Sequence, residues 1–345
     1  MKLPIVYPFI THKPPEAYVF SILGAYPQTQ SWLISNYINM YINENGKGDF
    51  WGKDFFYQNC PWLFENHIPR EIIKASIHDF VSFCCLCLDK EYYLSFMVNE
   101  KYIQAYDCNI DKDHNILVFG YEESEHLFHI ADFFSHGKYQ FATCSYKELT
   151  NAFYSDLIDH TDYFEAIRLI RLKKIDYVFE KMEIREHLEE QLASTNLFVK
   201  YKRVPYEENL LLDENGKGYY MSENMLRSQY HFGLKYYEKL IEIYANQFSF
   251  DIRPIHLLYD RMCLMKRRVC ILEETRWMQH NEALNEVIEN SISLVQTIRN
   301  YILKHRISHT RNPSADIVID GLEKSFKYDK TICEMLLDGL DFNNQ

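Results

Sequence analysis

Glycine is scarce in this chain, 11 of 345 residues. Neither a G-x-G-x-x-G nor a G-x-x-x-x-G-K-[ST] pattern follows a strand-like segment. That argues against dinucleotide and P-loop folds, whose loops bring bare backbone N–H groups up to phosphate. No apolar run reaches the roughly 18 residues that cross a bilayer, so no membrane partner is expected. "MKLPIVYPFITHKPP" has prolines where an export signal needs an apolar stretch. Excess positive charge is missing too: 37 Lys and Arg stand against 49 Asp and Glu, a net charge of −12. A nucleic-acid groove needs a basic stripe to displace phosphate counterions, so none is expected. No second pair of His or Cys sits at metal-ligand spacing. His129, Asp132 and His136 in "HIADFFSH" are not a standard zinc set, so neither a metal nor a bound cofactor is expected. The nine cysteines are odd in number and irregularly placed. Three lie in the apolar "FCCLCL" (83–88) and read as small hydrophobes. Free thiols without an export signal point to a reducing cytoplasm.

What is present is apolar and aromatic. Hydrophobic residues make up 47% of the chain, with 27 Tyr and 23 Phe. That is enough for a sizeable core and for grooves lined by rings with polar tips. Residues 1–20, broken by four prolines, read as extended. Apolar spacing predicts a helix over 31–43 and an amphipathic helix over 69–89. The period then shortens: 92–103, 114–123, 126–134 and 137–145 read as strands, the middle two as a hairpin around an acidic turn. Ser145 and Glu148 form a capping box that starts a helix. Residues 163–172 read as a further strand, and 209–225 as a loop or hairpin around an Asn-Gly turn. Helical stripes follow over 183–195, 234–248, 251–272 and 284–302. The last two could serve an internal core or a homodimer. Asp251 and Arg253 read as a cap or ion pair at a helix start, and His256 as packing. The expected class is α+β: helices packed on an antiparallel sheet over 1–175, then a mostly helical domain or lid over 176–345.

Two residues of the meander could carry chemistry. His114 opens one hairpin strand and Asp132 closes the other, at similar distances from the turn near Glu122–Glu125, so register brings them together at the open end. A carboxylate there can hold the imidazole in one tautomer and support its charged form. An ordinary His and Asp at strand ends would give the same spacing.

"HNILVFGYEESEHLFHIADFFSHGKYQFATCSYKEL" (114–149) resembles the His-to-Asp segment of papain-like cysteine peptidases of the bacteriocin-leader-processing type. It is closer still to the N-terminal domain of butirosin-type aminoglycoside acyltransferases. The shared elements, in order, are a His, an apolar strand, a Gly-Tyr pair, a polar turn, a strand ending in Asp, a Gly-containing turn and a Ser-x-x-Glu-Leu helix start. "AYVFSILGAYPQTQSWLISNYI" and "DIRPIHLLYDRMCLMKRRV" resemble relatives encoded with nonribosomal peptide pathways in low-GC bacteria. The resemblance is specific over 114–149, moderate over 17–42 and loose after 180. It implies a papain-like domain over 1–175 with His114 as base and Asp132 as its orienting group.

The family's nucleophile is a cysteine at the start of the first long helix, where helix N–H groups lower its pKa and hold an oxyanion. Laid on Gly24-Ala25-Tyr26-Pro27, that position falls on Ala25, which cannot attack a thioester. Three explanations stand open: a cysteine replaced by Ala25 to trap a ligand, a natural pseudo-enzyme, or a nucleophile elsewhere, Cys60 ahead of Ser31. The resemblance implies acyl or peptidyl transfer from the phosphopantetheine arm of a carrier protein to a small amine through an acyl-cysteine intermediate. Antibiotic biosynthesis, polythioamides included, is the implied setting. The basic "MKRR" (265–268) and "KHRISHTR" (304–311) would suit an acidic carrier protein, or are solvated helix ends. A non-catalytic module holding a carrier protein or product, and a cysteine peptidase, are the alternatives.

Overall fold

Two consecutive prolines start a helix here instead of breaking the chain. The structure is a computed structural model that describes residues 1–51, 60–157, 166–175, 181–203, 210–212, 218–220, 227–246, 250–308 and 313–340. In it, helix α1 runs Pro14–Gly24, with Pro14 and Pro15 in the first turn. N–H groups there have no intrahelical acceptor, so proline costs no bond and presets φ. The extended reading of residues 1–20 is corrected from residue 14 onward. Ala17 to Leu23 are all buried.

The strands, in chain order, are β1 (Met40–Asn43), β2 (Gly48–Phe50), β3 (Leu63–Pro69), β4 (Tyr93–Asn99), β5 (Asp113–Glu122), β6 (Leu127–Phe133), β7 (Tyr139–Ser145), β8 (Ala166–Leu172), β9 (Leu210–Leu212), β10 (Gly218–Tyr220) and β11 (Tyr230–Phe232). The class is α+β, with antiparallel sheets and a helical C-terminal region. The chain divides into one unit of 1–30 with 57–177 and another of 31–56 with 178–345. Residues 31–56 thus group with the helical half, unlike the expected division into 1–175 and 176–345.

The first unit is built on a six-stranded sheet in the order β3-β8-β4-β5-β6-β7. Every residue of β4, "YLSFMVN", is buried, as expected of a central strand covered on both faces. The single helix expected over 69–89 is two, Arg70–Ser76 and Phe80–Asp89. Ile77 is extended between them, and Asp79 restarts the helix by accepting the Ser82 N–H. Phe80 stacks on Phe153 at 4.2 Å and meets Phe96 edge-on. Ser145 and Glu148 form the capping box of helix Tyr146–Phe153. Ser145→Ala is expected to cost about 1 kcal/mol, read as a lower urea midpoint. An unchanged midpoint would show the cap to be idle.

In the second unit the helix expected over 31–43 stops at Ser35, Tyr37 takes a left-handed φ of 56°, and β1 begins at Met40. Two buried arginines explain the early stop. Arg268 donates to the carbonyls of Ile34 and Asn36, and Arg261 to that of Ile38. The carbonyls a longer helix would have used are satisfied from outside it. β1 pairs with β2 and β11. β9 and β10 form the hairpin expected over 209–225; its turn lies outside the described residues. Helices Lys181–Ala193, Lys235–Asn246, Ile252–Glu274 and Glu282–Ser308 cover the four predicted stripes, and Ala315–Gly339 is a further long helix. Gly321 lets the last two pack closely: a Cβ there would lie 2.6 Å from Ile298 Cδ1. "MKRR" is not one basic face. Met265 and Arg268 are buried, and Lys266 pairs with Glu289. Part of "KHRISHTR" lies outside the described residues. Asp251 is both cap and ion-pair partner for Arg253.

Candidate active site

β5 and β6 pair with Leu117 opposite Ala131 and Gly120 opposite His129, with a register shift between Val118 and Gly120. Continued toward the open end, that register sets Asp132 across from Ile116, two residues along the same face from His114. The Gly-Tyr pair has a local cause. A Cβ on Gly120 would lie 2.7 Å from the Met1 carbonyl oxygen, because residues 1–3 run against β5 at this point.

His114 Nδ1 lies 2.6 Å from Asp132 Oδ2 and 3.0 Å from the Asn115 carbonyl. Both neighbours only accept, so Nδ1 carries the proton and Nε2 keeps its lone pair. Nε2 has no hydrogen bond to any described residue, and the His114 side chain is 25% exposed. Asp132 is fully buried. It also accepts Tyr18 OH on Oδ1 at 2.7 Å and Tyr106 OH on Oδ2. The Tyr106 ring stands between His114 and Phe134, edge-on to both. Three donors thus satisfy one buried carboxylate.

The electrostatics follow from that packing. Burial opposes the charged form of His114, but the hydrogen bond and charge of Asp132 outweigh it and raise the pKa above 6.5. The pair therefore stabilises the fold fully below the ordinary imidazole value, and that contribution is lost as pH rises through the folded one. Burial, then the Asp132 charge, pushes the Tyr18 and Tyr106 hydroxyls well up, so both remain protonated donors.

Among the described residues, no hydrogen bond or ion pair joins Ala25, Cys60 or Ser31 to His114 or Asp132. Ala25 is the C-cap of α1. It follows Tyr18 by seven residues, about 10 Å along a helix. Tyr26 OH lies 3.3 Å from Tyr93 OH, and Tyr93 precedes Val98, the partner of His114, by five residues of β4. That is about 16 Å of strand. Ala25 lies between two helices: it ends α1 and precedes by two residues the helical run that starts at Pro27 and continues through Ser35. Cys60 is no substitute. It precedes β3, separated from β5 by β8 and β4, and burial pushes its thiol up to about 12. Ser31 falls in the second unit. His129 pairs with Glu122 at 2.9 Å.

Tyr18 and Tyr106 are the residues that sequence reasoning missed. The abundance of tyrosine was visible, but no spacing links either residue to Asp132. No known family model matches the chain, and a search of curated proteins found no match. Among the described residues no helix is long and apolar enough to cross a membrane.

Proposed function

We propose that the first unit is a papain-like acyl transferase that joins a carrier-bound acyl group to an amine directly, without an acyl-cysteine. The observation that supports this is His114, locked by Asp132 with an unengaged Nε2 on a partly exposed ring. The amine nitrogen attacks the carbonyl carbon of the phosphopantetheine thioester. Its proton passes to His114 Nε2, the C–N bond forms and the C–S bond breaks. His114 then returns the proton to the departing thiolate. Asp132 supports the imidazolium between the two transfers. The phosphopantetheine arm is substrate here, carried by an acyl or peptidyl carrier protein in amide-forming biosynthesis.

A pH profile tests this. With butyryl-pantetheine as donor and methoxyamine as acceptor, whose nitrogen stays unprotonated over the range, amide formation is expected to rise about tenfold per pH unit below the His114 pKa. It then levels off, with a midpoint above 6.5. A pH-independent rate, or no product above background, would support a non-catalytic module that holds the donor.

A further inference from the structure

We infer that Tyr106 and Tyr18 are positioning residues that set the proton affinity of His114 through Asp132, Tyr106 more strongly. The inference deepens the reading of His114 as a base. Tyr106 OH and His114 Nδ1–H share one oxygen, Oδ2, and Tyr18 OH takes the other. A carboxylate oxygen that accepts two bonds gives less charge to each. Removing the Tyr106 hydroxyl leaves Oδ2 to the imidazole alone and strengthens its hold on the proton. If the carboxylate took up part of that proton instead, the proton affinity of the pair would still rise. Tyr18 acts on the distal oxygen and so acts less.

The placement of Tyr106 is built, not incidental. Its hydroxyl reaches the site from the turn Gln104–Tyr106, and the Gln104 N–H donates to Glu148 Oε1 of the capping box. The ring packs on Phe134, two residues past Asp132. Among the described residues, the ionisable groups around the pair are these two tyrosines, Glu100 from the turn before Tyr106, and Tyr139 and Cys144 from β7. Glu100 is paired with Lys112 at 2.6 Å. Tyr139 donates no bond to Asp132; its hydroxyl meets Ser21 Oγ at 2.8 Å. It serves as the internal control.

The test is an NMR titration of the His114 imidazole in the full chain. Tyr106→Phe is expected to raise its midpoint by about 0.5–1 unit, as loss of one hydrogen bond to a charged group implies. Tyr18→Phe should raise it by less, and Tyr139→Phe should leave it in place. A midpoint unmoved or lowered in Tyr106→Phe, or raised equally in Tyr139→Phe, overturns the inference. Should Tyr106→Phe not fold, the contrast between Tyr18→Phe and Tyr139→Phe decides the same question. If the midpoints move as expected but methoxyamine is not acylated at any pH, the tyrosine clamp stands and the transferase reading fails.

Discussion

Asp329→Ala is expected to destabilise the protein by about 3–5 kcal/mol, the cost of stranding a buried charge. Asp329 and Arg261 are both fully buried. Arg261 grips the carboxylate through Nη2 to Oδ1 at 2.8 Å and Nε to Oδ2 at 3.1 Å. Gln191 and Tyr237 complete the acceptor sites at 3.2 and 3.3 Å. Among the described residues, a second buried guanidinium, Arg268, has no carboxylate of its own. Burial, then the charge of Arg261, brings its pKa down to about 9. Removing Asp329 leaves two cations in one dry core and leaves Gln191 and Tyr237 without an acceptor. Urea unfolding of the full chain reads the loss. A change below about 1 kcal/mol, the size of a surface pair, would mean that water reaches the site.

Asp132→Asn should lower amide formation by about 10²–10⁴-fold, the usual worth of a positioned acid–base group, and His114→Ala at least as much. Asparagine keeps the shape but turns one acceptor oxygen into a donor. Three donors, Tyr18 OH, Tyr106 OH and His114 Nδ1–H, then face one remaining oxygen. The imidazole has to give up the Nδ1–H tautomer, and the lone pair needed at Nε2 turns inward. Steady-state rates with butyryl-pantetheine and methoxyamine measure this. A loss within threefold for both variants would take His114 out of the chemistry.

The hairpin was legible because its signals are local. Alternating apolar residues, an acidic turn and a capping box sit within 114–149, and each strand starts within a residue or two of its expected place. The pairing of His114 with Asp132 followed from counting outward from the turn, and the register shift near Gly120 did not move them to opposite faces. The tyrosines were hidden because they arrive from α1 and from a short turn, 114 and 26 residues away in the chain. Helix 31–43 misled for a related reason. Its apolar spacing is real, but Arg261 and Arg268 claim its carbonyls from more than 220 residues away. Helix Ala315–Gly339 carries Gly321, Ser325 and Asp329 on its buried side, which breaks the apolar stripe that would reveal it. Ala25 was placed by local wording; the fold makes it the C-cap of α1, two residues before the helical run that starts at Pro27.

The central claim is transfer without an acyl-enzyme, and intact-protein mass spectrometry during turnover tests it most directly. The chain and its Ala25→Cys variant are quenched while methoxyamine is being acylated from butyryl-pantetheine. Direct transfer predicts amide product from both, neither protein heavier, and product lost in His114→Ala. A butyryl adduct on Ala25→Cys that vanishes when His114→Ala is added would contradict it and put position 25 beside the imidazole after all.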